Sequence, residues 1–433
     1  MLTSPIGSAA FAPKTPIVAV FVIGFVAVSV ATVFWGPSRT FLPSTDGSQY
    51  LHLARSMAAG QGFKDADDLW PLSPDIDRMP GWPAIIAAGL KIAPWASPEA
   101  VDRFANALCL ALAGMFFAVA VRYLGARPLI ATLAGLAVAL SPMLVYLSVD
   151  GMSEPSFVLL VALALACMLA GGRWIYLGAV AMGCAALVRS AALPVVPAAA
   201  VLALFAQKSR RWLIDPSNRP RCLLVAVLVA LPPGLWLVRN YAVSGRFPLF
   251  SALEGEVLYG SNNEVVANDL YEWGYWIVPS RIPGEPPKPS WCNVFHSNAE
   301  LNDYYHRKAM EWIRGHLSSM PRLELGKFVR AFVPVPWVPL LPSYLAFSGR
   351  FLLYVLAALL LPFWWRKTAL PYVLLFAGMT LVHLWTTAVY YGCSRFTYCF
   401  FEVFLIPCIA VGAEQWISTR RGGGGALPAA AGA

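Results

Sequence analysis

Long apolar stretches alternate with short basic turns along most of this chain. Continuous apolar runs occur near residues 16–35, 101–121, 128–148, 154–171, 174–188, 190–206, 222–238, 346–363, 369–388 and 397–416. Each approaches the roughly 20 residues that a helix needs to cross a bilayer. The pattern predicts an all-α, multi-pass bundle of about ten spans. A shorter apolar stretch, 83–93, predicts a juxtamembrane helix. Two long segments interrupt the rhythm, about 36–100 and about 239–345, and loops of that length between packed helices usually carry function. Residues 1–421 read as one integral membrane domain and 422–433 as a flexible, glycine-rich tail.

Lys and Arg fix the expected polarity. Arg122 and Arg127 share one turn; Lys208, Arg210, Arg211, Arg219 and Arg221 fill another; Arg366 and Lys367 a third; Arg420 and Arg421 the tail. Short basic loops stay cytoplasmic. Lys14 and both termini are then expected in the cytoplasm, with the two long loops on the outer face of the cytoplasmic membrane. Phe34-Trp35 closes the first run where a cleaved signal would carry small residues, so that run reads as a retained span.

Composition agrees. The chain of 433 residues is 58% hydrophobic and 13% charged, too apolar for a soluble fold, and its net charge of +9 lies in the short turns. The charge therefore reports topology, and no nucleic-acid partner is expected. The sequence has no Gly-rich nucleotide loop, no His-Glu-x-x-His helix and no Gly-x-Ser-x-Gly elbow. No cytoplasmic segment is large enough to bind a soluble nucleotide sugar. Most cysteines fall inside apolar runs; Cys292 and Cys393 are the pair with access to an oxidising side, and a disulfide between them is an open expectation.

The candidate chemistry gathers at the outer ends of the runs. Asp46, Tyr50 and Ala54 recur every fourth residue and share one helical face. Asp46 with Gln49 also fits a helix N-cap pair, so the residues alone leave cap and catalyst both standing. Arg78 precedes the rigid turn Pro80-Gly81-Trp82-Pro83 at headgroup height, where a guanidinium grips phosphate or ordinary lipid equally well. Asp150 and Glu154 lie four apart at a helix start, suited to orienting an acceptor, holding a divalent cation, or simply charging a helix end. Arg189, Arg239 and Arg395 come from separate turns at the same face. They either snorkel or converge on a phosphodiester. His383 and Glu402 lie within runs and read as buried, hydrogen-bonded groups or functional ones. Aromatic clusters such as Tyr271-Glu272-Trp273-Gly274-Tyr275-Trp276 suit headgroup depth.

These patterns carry a family resemblance. Asp46-x3-Tyr50-x3-Ala54, Gly60-Gln61-Gly62-Phe63 and Arg78-x-Pro80-Gly81-x-Pro83 resemble the first outer loop of GT-C glycosyltransferases, in the branch of protein O-mannosyltransferases and lipid A aminoarabinose transferases. Arg239-Asn240-Tyr241-x3-Gly245-x-Phe247 and Gly255-x2-Leu258-Tyr259-Gly260-x-Asn262-Asn263 are similar to bacterial members. Arg395-Phe396 resembles the family's Arg-Tyr-Arg-Leu-Pro stretch, with Glu402 displaced by about one position and the proline missing.

The resemblance implies an inverting enzyme that takes sugar from a polyprenyl-phosphate donor and passes it to a lipid, glycan or protein acceptor at the outer face. It implies Asp46 as general base; Arg78, Arg189, Arg239 and Arg395 are the donor-phosphate candidates by their charge and position. Tyr50, Asn240, Tyr241, Tyr259, Asn262 and Asn263 follow as substrate-loop candidates. Many relatives place a second acid directly after the first, where this chain has Gly47. Asp150 and Glu154 are the substitute candidates. A divalent cation is possible and no cofactor is certain. The rival readings are an O-antigen polymerase or ligase, for which His296, His306 and His316 would matter, and a multi-pass transporter.

Overall fold

The computed structural model describes residues 15–35, 46–64, 74–206, 211, 215–245, 253–333, 341–364 and 369–422. Lys14, Lys208, Arg210, Phe247, Arg366, Lys367 and the tail beyond Gly422 lie outside the described residues. Within them the fold is helical, with one isolated bridge between Lys64 and Pro74.

The chain opens with α1 (Thr15–Trp35), and the first long loop supplies α2 (Asp46–Ala58) and α3 (Gly81–Ile92). The bundle continues through α4 (Pro98–Tyr123), α5 (Pro128–Ala139), α6 (Pro142–Val149), α7 (Glu154–Ala170), α8 (Trp174–Val188), α9 (Val195–Phe205) and α10 (Arg219–Ser244). The second long loop folds into α11 (Glu254–Ser261), α12 (Glu264–Asn268), α13 (Trp291–Val294), α14 (Asn298–Gly315) and α15 (Met320–Phe332). Then come α16 (Leu341–Trp364), α17 (Leu370–Val389), the single turn α18 (Ser394–Thr397), a π-helical turn Tyr398–Glu402, and α19 (Val403–Gly422).

All ten apolar runs are helical where described. Six segments are long and apolar enough to cross a membrane by length and composition: 17–34, 98–123, 128–149, 216–244, 370–389 and 394–420. The runs at 154–170, 174–188, 190–205 and 348–364 are shorter helices. At about 1.5 Å per residue, α7 is about 25 Å long against a hydrocarbon core of about 30 Å. Ten spans were expected from apolar length. Prolines at first helical positions set several of their starts, because Pro there has no N–H to leave unpaired. Ser141 accepts from Leu144 N at 3.5 Å and, with Pro142, splits the 128–149 run into α5 and α6.

α4 packs against α1, α5 and α7, and α8 against α7 and α10. Small residues permit this closeness: a Cβ at Gly114 of α4 would stand 2.6 Å from the Gly135 carbonyl of α5. The core is built from Phe117, Leu144, Phe157 and Phe404, all fully buried. At one end of the bundle Arg127 Nε donates to Glu414 Oε1 at 2.7 Å, tying the start of α5 to the last helix. The two long loops meet the opposite end. There the second loop has its own core around Trp291, Tyr305, Leu258 and Leu323.

Candidate functional site

Five chain segments meet at the loop-bearing end: the start of α2, the turn before α3, the start of α7, the end of α8 and α18. Periodicity brings Asp46 to the first position of α2, and its two carboxylate oxygens take different arginines. Oδ1 lies 3.1 Å from Arg78 Nη2 and Oδ2 lies 2.9 Å from Arg395 Nη2. Arg395 also faces Glu154, Nε to Oε1 at 3.5 Å, and the same oxygen is 2.8 Å from Arg189 Nη1. The result is a continuous chain of charge, Arg78–Asp46–Arg395–Glu154–Arg189. It sets three guanidiniums against two carboxylates.

Uncharged neighbours hold this chain in place. Gln49, one position before Tyr50 on α2, accepts from Arg78. Tyr50 Oη and Arg189 Nη1 each lie 3.4 Å from Ser153 Oγ. The Phe396 ring sits beneath both Arg189, at 4.5 Å, and Arg395, at 4.8 Å. Arg395 touches Met152 Sδ at 3.7 Å. Gly81 has no room for a side chain: a Cβ there would stand 2.8 Å from the Leu187 carbonyl. That close approach seats the Arg78 turn directly on the end of α8, two residues before Arg189. On the other side Gly392 N donates to Gly274 O at 3.1 Å, docking the second loop against the strand of chain that leads into Arg395.

The electrostatics follow from these distances. Burial pushes the Asp46 carboxyl up, but Arg78 and Arg395, with Arg189 behind them, outweigh it and hold Asp46 well below the usual carboxylate range. Burial works against the Arg189 charge, and Glu154 outweighs it, so Arg189 stays cationic. Burial, then the Asp46 charge, push the Tyr50 phenol up. Glu154 is only 1% exposed and Asp46 about a quarter exposed, so the first acid faces the opening and the second is walled in.

The sequence candidates divide accordingly. Asp46, Tyr50, Arg78, Glu154, Arg189 and Arg395 are brought together. Asp150 instead caps the end of α6, its N–H donating to the Tyr146 carbonyl. Arg239 is spent on backbone: it donates to Asp75 O at 2.5 Å and Phe63 O at 3.0 Å, and lies over Trp236 at 4.7 Å. Asp75 Oδ1 in turn accepts from Arg78 N at 3.0 Å, so Arg239 braces the turn that carries Arg78. Asn240 Oδ1 accepts from Arg239 at 2.9 Å, and Tyr241 is exposed.

In the second loop, Tyr259 donates to Glu285 at 3.1 Å; burial, then Glu285, push its phenol up to about 12. Asn262 accepts from Lys327 Nζ at 2.9 Å, and Asn263 caps α12 through Val265 N and Val266 N. These three shape the loop. Asn263 was recognisable as a cap from the Glu264 that follows it.

Gln49 was expected only as a capping partner and Phe396 only as a motif neighbour of Arg395, while Ser153, Met152 and Arg350 were not anticipated. Arg350 Nε donates to Glu402 at 2.7 and 2.9 Å inside the bundle, and Nη2 donates to Ala331 O at 2.7 Å. An arginine in an apolar run was the available signal. His383 Nε2 lies 2.8 Å from Thr397 Oγ1 and is buried, as the structural reading expects. Cys292 and Cys393 are free thiols, so the disulfide expectation is corrected: Cys292 is exposed beside Asn293, while Cys393 caps α18. Among the described residues no group of three His, Cys, Asp or Glu is placed to hold a metal ion. Both acids of the site are already neutralised by guanidiniums.

Beside the cluster is an apolar hollow of about 390 Å³ lined by Pro80, Leu187, Leu231, Pro232, Leu235 and Trp236. Its wall residues Pro80 and Leu187 are each two positions from a site arginine.

Residues 77–236 match the sequence model of the dolichyl-phosphate-mannose-protein mannosyltransferase family. No curated protein matches the sequence. Among solved structures, the chain is similar to ArnT from Cupriavidus metallidurans bound to undecaprenyl phosphate, with 17% identity over 90% of this chain and 78% of that one, at a TM-score of 0.45. It is also similar to the apo state of the same protein, with 17% identity over 90% and 77% and a TM-score of 0.40. The matched residues, which include Arg78, Glu154 and Arg189, make this helical chain similar to that mannosyltransferase family over part of its length.

Proposed function

We propose that this protein moves a sugar from a polyprenyl-phosphate donor to an acceptor hydroxyl or amine at the outer face of the cytoplasmic membrane, with inversion at the anomeric carbon. The observation that carries the reading is a carboxylate held between two arginines at the loop-bearing end of an apolar bundle. Asp46 receives the acceptor proton as the acceptor attacks the anomeric carbon. Arg78 and Arg395, backed by Arg189 on Glu154, take up the negative charge that develops on the departing lipid phosphate.

The apolar hollow beside Pro80 and Leu187 suits the first isoprene units. The phosphate would then lie at the arginines and the chain along exposed Leu231 and Leu235. Excess basic charge at the opposite end supports the placement of that end and of both termini in the cytoplasm. The positioning of donor and acceptor on one rim supplies proximity.

The test is transfer from labelled polyprenyl-phosphate sugars to a membrane extract by the purified protein and by Asp46→Asn. The amide keeps the size of the side chain but cannot take a proton. Transfer should fall by about 10²- to 10⁴-fold while the protein remains folded. Undiminished transfer by folded Asp46→Asn removes Asp46 as the base. Failure of every lipid-linked donor removes the donor class.

A further inference from the structure

A base whose two oxygens are each clamped by a guanidinium is a poor base. Asp46 has that problem in the empty site: Arg78 holds Oδ1 at 3.1 Å and Arg395 holds Oδ2 at 2.9 Å. The same two arginines are the exposed cations nearest the opening, with side chains 22% and 23% exposed, whereas Arg189 is committed to buried Glu154. An anion entering the site must therefore compete with Asp46 for its own partners. Resting on the donor reading above, we infer that the donor phosphate displaces Asp46 from Arg78 and Arg395 and thereby frees Asp46 to accept the acceptor's proton. The base is switched on by its co-substrate.

The exchange balances. Before reaction Asp46 and the phosphodiester carry one negative charge each. The acceptor O–H (or N–H) bond breaks and its proton goes to Asp46. The acceptor atom bonds to the anomeric carbon. The bond from that carbon to the phosphate oxygen breaks, with its electron pair leaving on the phosphate. Asp46 is now neutral and the phosphate a dianion, so the two guanidiniums have lost one partner and gained charge on the other. Total charge is unchanged throughout.

Glu154 makes the exchange possible without scattering the arginines. It is buried, paired to Arg189 at 2.8 Å and facing Arg395 Nε at 3.5 Å, so Arg395 keeps one anionic contact while its outer nitrogen changes partner. Ser153 and the Phe396 ring hold the same guanidiniums from the side. The device also protects the enzyme: with no donor bound, Asp46 cannot deprotonate water or a stray acceptor.

The charged and titratable groups facing Asp46 are Tyr50 from its own helix, Arg78 from the turn before α3, Glu154 from α7, Arg189 from α8, and Tyr391 and Arg395 from the segment leading into the last helix. Removing two cations from this set and adding an anion raises the Asp46 pKa. The empty site, where those cations outweigh burial, holds it low.

The experiment is an infrared pH titration of the full-length protein in nanodiscs, with Asp46→Asn as the subtraction control and undecaprenyl phosphate as the probe. If Asp46→Asn fails to fold, Asp46→Glu, whose carboxyl band is displaced, makes the assignment instead. Without the lipid, no Asp46 protonation should be seen down to about pH 3. With saturating lipid its midpoint should rise by at least one pH unit, toward the ordinary Asp value of about 3.9 or above it. Bound lipid, verified by calorimetry on the same sample, with an unmoved Asp46 titration overturns the exchange while leaving the donor reading intact. No binding of the lipid at all overturns both.

Discussion

Replacing Glu154 by Gln tests the buried half of the charge chain. The side chain is 1% exposed, its Oε1 lies 2.8 Å from Arg189 and 3.5 Å from Arg395, and it stands in the first turn of α7. Gln keeps the volume and removes the charge. Arg395 retains Asp46, so the loss falls mainly on Arg189, which is left with a 3.4 Å contact to Ser153 and the face of Phe396. Removing one partner of a buried pair costs about 3–5 kcal/mol. Arg189 is 15% exposed and reaches some solvent, which places the expected cost near the lower bound, about 3 kcal/mol. A further 0.3–1 kcal/mol or so comes from the lost carboxylate at a helix N-terminus.

The assay is the midpoint of SDS-driven unfolding in mixed micelles, read as a double-mutant cycle with Arg189→Gln. Removing both charges leaves no orphan, so the double variant should be more stable than the sum of the single losses predicts, by about 1.5–3 kcal/mol. Additive losses would refute the argument, because they would mean that Glu154 and Arg189 contribute independently.

Three further outcomes follow from the same geometry. Gly81→Val pushes a branched side chain against the Leu187 carbonyl; it should cost about 1–3 kcal/mol and raise the donor KM by moving Arg78, measurable by unfolding and by steady-state kinetics. Glu402→Gln orphans Arg350 and should cost about 3–5 kcal/mol, whereas the pair Arg350→Met with Glu402→Leu should be close to neutral, which SDS titration distinguishes. In the empty enzyme the depressed pKa of Asp46 contributes stability that is present above the unfolded value near 3.9 and is lost only as pH falls through the lower folded value. Asp46→Asn should therefore lower stability on the neutral plateau and flatten the acid limb of unfolding below about pH 4; an acid limb identical in both proteins would contradict the Asp46–arginine pairing.

Features written in local sequence were legible. Apolar run length located the helices, and spacing of four put Asp46 and Tyr50 on one face of α2. Basic residues at run ends foretold an arginine cluster at one rim. What remained hidden depends on partners far along the chain. Asp150 and Glu154 look alike in sequence, but Pro155 starts a new helix at Glu154, which turns that acid inward while Asp150 finishes the helix before it. Arg239 was indistinguishable from Arg189 as a residue at a run end; its partners are carbonyls of Asp75 and Phe63, which carry no side-chain signature. Apolar length located α7 and α8 to within a residue, with ends set by Pro155, Gly171 and the turn at Arg189.

Asp46 and Arg395 are 349 positions apart. Until the last apolar helix is in place, a chain emerging into the bilayer carries Asp46 with Arg78 alone, and Glu154 with Arg189 alone, as two separate pairs. Arg395 is the link that joins them. Assembly of the rim therefore awaits Arg395, and a product truncated before residue 394 has most of the apolar bundle but no connected site. Quality control in the membrane would meet such a product as a protein with two half-satisfied acids.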